Sequence, residues 1–331
     1  MQLRNKLFNV NLGIILVLAL LLRIIIFNTH LADPNFSIQQ DDYLGYAYAL
    51  KDGTINAAAF SPHEMRLFPG FPIAIVSLST FLNPVTSSVL ISIFSSIFAI
   101  YLIFLLTKSL KTTAFFAFFP PIWVMQGTKI STEPLTTAFL LLGFYFYLKK
   151  KPFWSGIILG LSFNVRIISF CLLAAIIGFS LVRKRFNEAK RLILGFIPIF
   201  LGLFIYNYFI FGESGIFKQF VNLSGNYNGL KIGLFQIIDD LPRTLAWHQY
   251  RIFASGSFYI IFIALGLYLL YKKRHNSRLI KICLLWSVFS VVFVLSLSPT
   301  PLLEDFARYL TPIMPAIAIA FTYKGDKKDE R

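Results

Sequence analysis

The chain has 331 residues, of which 56% are hydrophobic and only 14% are charged. This composition excludes a water-soluble globule with a polar surface and predicts an integral membrane protein. The 31 basic and 15 acidic residues give a net charge of +16, which alone would also fit a nucleic-acid-binding protein.

Apolar runs recur along the chain at roughly the 20 residues that a helix needs to cross a bilayer. They are continuous and lack the alternation of barrel strands, so we predict helices. The expected fold is an all-α integral membrane protein in which about ten helices cross the membrane. The predicted crossings are residues 9–27, 85–107, 112–127, 134–148, 152–165, 167–182, 192–211, 256–271, 280–298 and 309–323.

The charges divide unequally between the two sides of this arrangement. With the N-terminus in the cytoplasm, the inner segments hold 21 of the 31 basic residues but only four of the 15 acidic ones. Because basic loops stay on the cytoplasmic side, this predicts a multi-pass cell-membrane protein with both termini cytoplasmic, and no nucleic-acid partner is needed. Residues 1–323 form one predicted transmembrane domain, and the charged tail 324–331 is predicted to be disordered.

Two further features of the sequence are given structural interpretations. The first apolar run is not interpreted as a cleaved signal peptide, because it is long and no small-residue cleavage site follows it. Cys171 and Cys283 fall inside predicted helices and are interpreted as core residues.

The outer segment 28–84 is too long for a simple turn and is predicted to be structured. It contains the adjacent carboxylates Asp41 and Asp42. Its apolar stretch 68–82 is short and has a proline, Pro69, at its second position. If this stretch crossed the membrane, every later basic cluster would change sides, so we expect it to lie in the interface or to re-enter.

Later outer turns add further polar residues. Segment 152–182 lies between two basic clusters and must therefore cross twice, which puts Arg166 at an outer turn, where a cation needs a partner. Glu133 lies at another outer turn, Arg308 lies at the last one, and the long outer loop 212–255 is rich in aromatic residues.

Carboxylates and arginines dominate the predicted outer face. This combination suits a reaction in which a base removes a proton from a hydroxyl while guanidinium groups hold a phosphate. The outer-face residues considered are Asp41, Asp42, Arg66, Lys129, Glu133, Arg166, Arg243, His248, Arg251, Glu304, Asp305 and Arg308.

Several short motifs in this set resemble the GT-C superfamily of membrane glycosyltransferases, which use polyprenyl-phosphate-linked sugars. The motifs are Asp41-Asp42-Tyr43, Arg66-Leu67-Phe68-Pro69-Gly70-Phe71-Pro72, Ser131-Thr132-Glu133-Pro134, Gly160-Leu161-Ser162-Phe163-Asn164-Val165-Arg166 and Arg308-Tyr309-Leu310. The resemblance, which is to the dolichyl-phosphate-mannose and protein-mannosyltransferase type, implies a GT-C-like fold whose first outer loop contains juxtamembrane helices.

The resemblance also implies an activity. A sugar, hexose or mannose, would move with inversion from a polyprenyl-phosphate carrier to a lipid, glycan or protein acceptor on the outer face. Asp41 would be the base, Asp42 would orient the acceptor or tune its neighbour, and Glu133 would complete the acceptor side. Many members have Asp-Glu where this chain has Asp41-Asp42, so the choice of base stays open. The donor phosphate would be bound by Arg66, Arg166 and Arg308.

Other interpretations remain open from the residues alone. Asp41-Asp42 could have no role beyond capping a helix, and Glu133 could have no role beyond starting one. Arg166 and Arg308 could be interfacial anchors. No cofactor is expected, and a divalent metal is disfavoured because adjacent aspartates point apart in most backbones. Alternative functions are a transporter or flippase of a phospholipid or sugar, and a polysaccharide polymerase or ligase with a diphosphate-linked donor.

Overall fold

The computed structural model describes residues 2–31, 42–55, 67–213, 216–217, 250–297 and 308–323. These residues are predominantly helical, and none of them lies in a strand. In chain order the helices are α1 (Gln2–Leu31), α2 (Tyr43–Lys51), α3 (Gly70–Leu78), α4 (Pro84–Thr107), α5 (Leu110–Phe118), α6 (Pro121–Gln126), α7 (Thr132–Leu148), α8 (Pro152–Val165), α9 (Phe170–Val182), α10 (Phe186–Phe211), α11 (Tyr250–Lys272), α12 (Arg278–Leu297) and α13 (Met314–Thr322).

Four of the described helices are long and apolar enough to cross a membrane: α1, α4, α10 and α12. The expected class, a helical protein with membrane-type segments, is therefore confirmed. Several other apolar helices are shorter than 18 residues, so the number of crossings stays a prediction. The bounds of α8 and α9 agree closely with the predicted segments on either side of Arg166.

Two predicted spans are not continuous helices. The span at 112–127 is divided into α5 and α6, with a cis peptide bond before Pro120. Pro120 and Pro121 have no N–H, so the hydrogen-bond ladder of α5 cannot continue through them. The last span, 309–323, begins with a 3₁₀ turn at Thr311–Ile313 that leads into α13.

One end of the bundle collects the basic turns. The turn at 149–151 joins α7 to α8, and the turn at 183–185 joins α9 to α10. Arg278, at the start of α12, lies 4.4 Å from the ring of Tyr147, and its Nη2 lies 3.1 Å from Oε2 of Glu188. We call this end of the bundle the basic end. Its cytoplasmic location stays a prediction.

The helices of the first loop pack at the opposite end. Tyr43 of α2 meets Phe71 of α3 in an edge-to-face contact with ring centroids 5.6 Å apart. Both rings belong to an apolar cluster that also contains Val165, the last residue of α8. The described parts of the first loop therefore contain two short helices, α2 and α3. With nine residues, α3 is about 14 Å long and too short to cross a bilayer.

Close backbone contact fixes α3 against α8. A Cβ atom built on Gly70 would lie 2.6 Å from the carbonyl oxygen of Asn164, so only glycine fits at this position. Helix α2 is in turn tied to α10, because the hydroxyl oxygens of Tyr46 and Tyr206 are 2.8 Å apart. Burial and the Tyr206 hydroxyl raise the pKa of Tyr46, so it remains protonated and can donate or accept this hydrogen bond.

Candidate functional site

Glu133 is a fully buried carboxylate in the first turn of α7. Ser131 is the N-cap of this helix, and its Oγ accepts a hydrogen bond from the backbone N–H of Glu133 at 3.4 Å. Pro134 follows at a position where a helical N–H would have no intrahelical partner. The positive end of the helix dipole favours an ionised carboxylate at this point.

Arg166 reaches Glu133 from the end of α8. The helix ends at Val165, and Arg166 has extended backbone dihedrals before a 3₁₀ turn begins. Its Nη1 donates to the hydroxyl of Thr132 at 2.9 Å and forms an ion pair with Oε1 of Glu133. This contact joins the predicted cation at the turn to a carboxylate on the neighbouring helix.

Arg308 contacts the same carboxylate oxygen from another part of the chain. Its Nε lies 3.0 Å from Oε1 of Glu133. The ring of Tyr309 lies beside both guanidinium groups, 5.2 Å from Cζ of Arg166 and 5.9 Å from Cζ of Arg308. Three of the six predicted site residues therefore form one cluster, which we call the Glu133 cluster: Glu133, Arg166 and Arg308.

The second carboxylate oxygen of Glu133 is also hydrogen-bonded. The Ser131 hydroxyl donates to Oε2, and Oγ1 of Thr132 lies 3.4 Å from the same atom. Ser131 is held in turn, because its Oγ lies 2.8 Å from Oε1 of Gln126 and its N–H donates to the hydroxyl of Ser92 at 3.4 Å. The position of the carboxylate is thus fixed from both sides.

The two guanidinium groups of the cluster lie in a poorly hydrated place. The Glu133 side chain is 0% exposed, while those of Arg166 and Arg308 are 11% and 13% exposed. Among the described residues, the Glu133 carboxylate contacts both guanidinium groups. Within the described ranges, Arg166 makes hydrogen bonds only through Nη1. Its Nε–Nη2 edge has the fork geometry that binds a carboxylate or phosphate with two parallel hydrogen bonds.

Asp42 caps α2 at the same end of the bundle. Its side chain accepts a hydrogen bond from the backbone N–H of Gly45 at 3.0 Å. Helix α2 packs on α3, and the first residue of α3, Gly70, contacts Asn164 shortly before Arg166. The structure thus brings the helix of Asp42 to the Glu133 end of the bundle and gives Asp42 a capping role.

Two predicted site residues, Asp41 and Arg66, lie outside the described residues. Their roles as base and phosphate ligand stay predictions. Glu304 and Asp305 in the last outer turn, and most of the loop 212–255, also lie outside the described residues.

The structure adds residues that sequence reasoning did not select for the site. Tyr309 is adjacent to a predicted arginine, so its position was a signal that could have been used. Ser92 and Gln126 gave no signal, because single polar residues in apolar helices are common. Arg23 is completely buried in α1, and a basic residue in a long apolar run was a signal for an interior contact.

Comparisons with known proteins add no relative. No family model, no curated protein and no solved structure matches the chain. Among the described residues, no group of three or more His, Cys, Asp and Glu side chains is arranged to hold a metal ion.

Proposed function

We propose that the protein is a membrane glycosyltransferase of the GT-C type. It transfers a sugar, hexose or mannose, from a polyprenyl-phosphate carrier to a lipid, glycan or protein acceptor at the outer face of the cell membrane. The observation that carries this proposal is the Glu133 cluster, in which one buried carboxylate holds two arginines of low exposure side by side. The sequence motifs described above supply the reaction class.

The arginines suit the leaving group of this reaction. When the acceptor oxygen bonds to the anomeric carbon, the bond from that carbon to the phosphate oxygen breaks and the phosphate gains negative charge. The Nε–Nη2 edge of Arg166 can bind that phosphate, and Arg308 adds a second positive charge beside it. The low exposure of both side chains strengthens the attraction, because little water screens it.

We assign Glu133 a positioning role instead of contact with the acceptor. Its carboxylate is fully enclosed, and both oxygens already have hydrogen-bond donors. It therefore holds Arg166 and Arg308 side by side, where their mutual repulsion would otherwise separate them.

The acceptor proton goes to an aspartate of the first loop. Asp42 is engaged in capping α2, so we assign the base to Asp41 and an orienting role to Asp42. Attack from the face opposite the phosphate inverts the anomeric centre. The leaving phosphate needs no proton, so no general acid is required.

The test is a transfer assay in proteoliposomes with a radiolabelled polyprenyl-phosphate sugar. Arg166→Met and Arg308→Met should each lower the transfer rate by about 100-fold or more, which is typical for the loss of a charge-stabilising donor. Arg278→Met is the matched control, because Arg278 also pairs with a carboxylate and lies over a tyrosine ring, but at the basic end. It should leave the transfer rate within about threefold of wild type.

Other results would redirect or refute the assignment. Undiminished transfer by both Asp41→Asn and Asp42→Asn would exclude an aspartate base in this loop. Movement of labelled lipid phosphate across the bilayer without sugar transfer would indicate a flippase. A strong preference for a diphosphate-linked donor over the monophosphate would indicate a polymerase or ligase.

A further inference from the structure

Arg23 is a completely buried cation in the long apolar helix α1. Its Nη1 donates to the carbonyl oxygens of Ala19 at 3.0 Å and Ala117 at 3.4 Å. Its Nε and Nη2 are buried and have no hydrogen-bond partner in the part of the chain that the structure describes. No ion pair joins Arg23 to a carboxylate among the described residues, although a buried cation needs compensation.

The compensation comes from the end of α5. In a continuous helix, the carbonyl of Ala117 would accept a hydrogen bond from the N–H of residue 121. That residue is Pro121, which has no N–H, so Arg23 supplies the missing donor. The carbonyl end of a helix also carries partial negative charge, which favours a guanidinium group there.

The other edge of the same guanidinium lies against the end of α6. A Cβ atom built on Gly127 would be 2.8 Å from Nε of Arg23 and 3.0 Å from Oγ of Ser96. Only glycine therefore allows this close approach.

This contact is one residue away from the support of the Glu133 cluster. Gln126 directly precedes Gly127, and its Oε1 lies 2.8 Å from Oγ of Ser131. Ser131 in turn donates to Oε2 of Glu133. A continuous set of buried contacts thus leads from α1 to the carboxylate that holds Arg166 and Arg308.

We propose that Arg23 is a positioning residue for the Glu133 cluster: by binding the carbonyl end of α5 and packing against Gly127, it fixes Gln126 and Ser131 behind the carboxylate. The role goes beyond anchoring α1, because it determines where the two phosphate-binding arginines lie. It rests on the proposed function only in so far as phosphate binding is the measured consequence.

The experiment compares two ways of disturbing this contact with one matched control. Arg23→Met removes the guanidinium, and Gly127→Ala keeps it but pushes on Nε. Gly266→Ala is the control, because its new methyl group would also lie 2.8 Å from a side chain, that of Ile317, in α13. The full-length protein in detergent is titrated with geranylgeranyl monophosphate, and thermal unfolding is recorded in parallel.

Both disturbing variants should weaken the apparent affinity for geranylgeranyl monophosphate by about tenfold, whereas Gly266→Ala should leave it unchanged even where it lowers the unfolding temperature. Arg23→Lys should recover part of the affinity, since an ammonium can reach the Ala117 carbonyl. An unchanged affinity in Arg23→Met that still unfolds at a lower temperature would overturn the positioning role.

A second readout separates this proposal from the proposed function. Arg23→Met and Ser131→Ala are combined, and the unfolding temperatures of the single and double variants are compared. If the wild type binds no polyprenyl phosphate, the proposed function fails, but non-additive losses of stability still support the coupling of Arg23 to Ser131. Additive losses would overturn the coupling whether or not the phosphate binds.

Discussion

The substitution Glu133→Gln tests the central electrostatic claim about the site. It keeps the shape of the side chain but removes the only described negative charge that contacts Arg166 and Arg308. The two guanidinium groups, 11% and 13% exposed, would then lose the carboxylate that both of them contact. Removing one partner of a buried ion pair costs about 3–5 kcal/mol, so we expect a loss of stability of that size.

Glu188→Gln is the control for this loss. Glu188 is also shared between two arginines, Arg185 and Arg278, at 3.3 and 3.1 Å. Its side chain is 29% exposed, and that of Arg185 is 44% exposed, so water replaces most of what the substitution removes. An exposed pair contributes about 0–1 kcal/mol, and we expect Glu188→Gln to cost no more than that.

The assay is equilibrium unfolding in mixed detergent micelles, with tryptophan fluorescence and helicity followed together. Because about 3–5 kcal/mol is a large part of the stability of a typical domain, Glu133→Gln could fail to accumulate. Glu133→Asp keeps the charge on a shorter side chain and should lose less stability than Glu133→Gln. Equal losses for Glu133→Gln and Glu188→Gln would show that burial does not govern the pairing, and the reasoning would be wrong.

Three further substitutions test neighbouring parts of the structure. Ser131→Ala removes both the cap of α7 and a hydrogen-bond donor to Glu133, and should lower the stability by about 2 kcal/mol in the same unfolding assay. Its control, Ser109→Ala, removes only the cap of α5 and should cost about 1 kcal/mol. Asp42→Asn keeps a capping side chain, so the stability should stay within about 0.5 kcal/mol of wild type. If Asp41 is the base, the transfer rate should stay within about tenfold of wild type, whereas loss of nearly all transfer would identify Asp42 as the base. Gly70→Ala would place a methyl group 2.6 Å from a backbone oxygen of α8 and should cost about 1–3 kcal/mol, while Gly13→Ala, with nothing within 4 Å, should not destabilise the protein.

The helix boundaries near the site were largely predictable from charge. Basic clusters at both ends of segment 152–182 require the chain to return, and the structure turns at Arg166 between α8 and α9. The break between α5 and α6 was missed, because the apolar run continues through Pro120 and hydrophobicity does not register a lost N–H. Local backbone chemistry, more than composition, decides that boundary.

The site itself was predictable in its parts but not in its pairing. That Arg166 needs a partner follows from its place at a membrane turn. Helix packing decides which carboxylate that partner is. It brings Arg166 to Glu133, 33 residues away in the sequence, and Arg308 to the same carboxylate across 175 residues. A pattern of residues along the chain does not show which residues, far apart in the sequence, come into contact in the fold. The sequence marked Arg23 as a basic residue in a long apolar run, but its contacts with Ala117 and Gly127 also depend on helix packing.

Burial is what distinguishes the Glu133 cluster from an ordinary ion pair. Each end of the bundle contains a carboxylate between two arginines, Glu133 at one end and Glu188 at the other. The second is partly solvated and lies among many exposed basic residues, so its arrangement fits an interfacial anchor. The first is enclosed, and both of its oxygens accept hydrogen bonds. Burying this carboxylate is costly unless its hydrogen bonds are complete, and its completed bonds hold two guanidinium groups side by side, the arrangement that the proposed phosphate ligand would require.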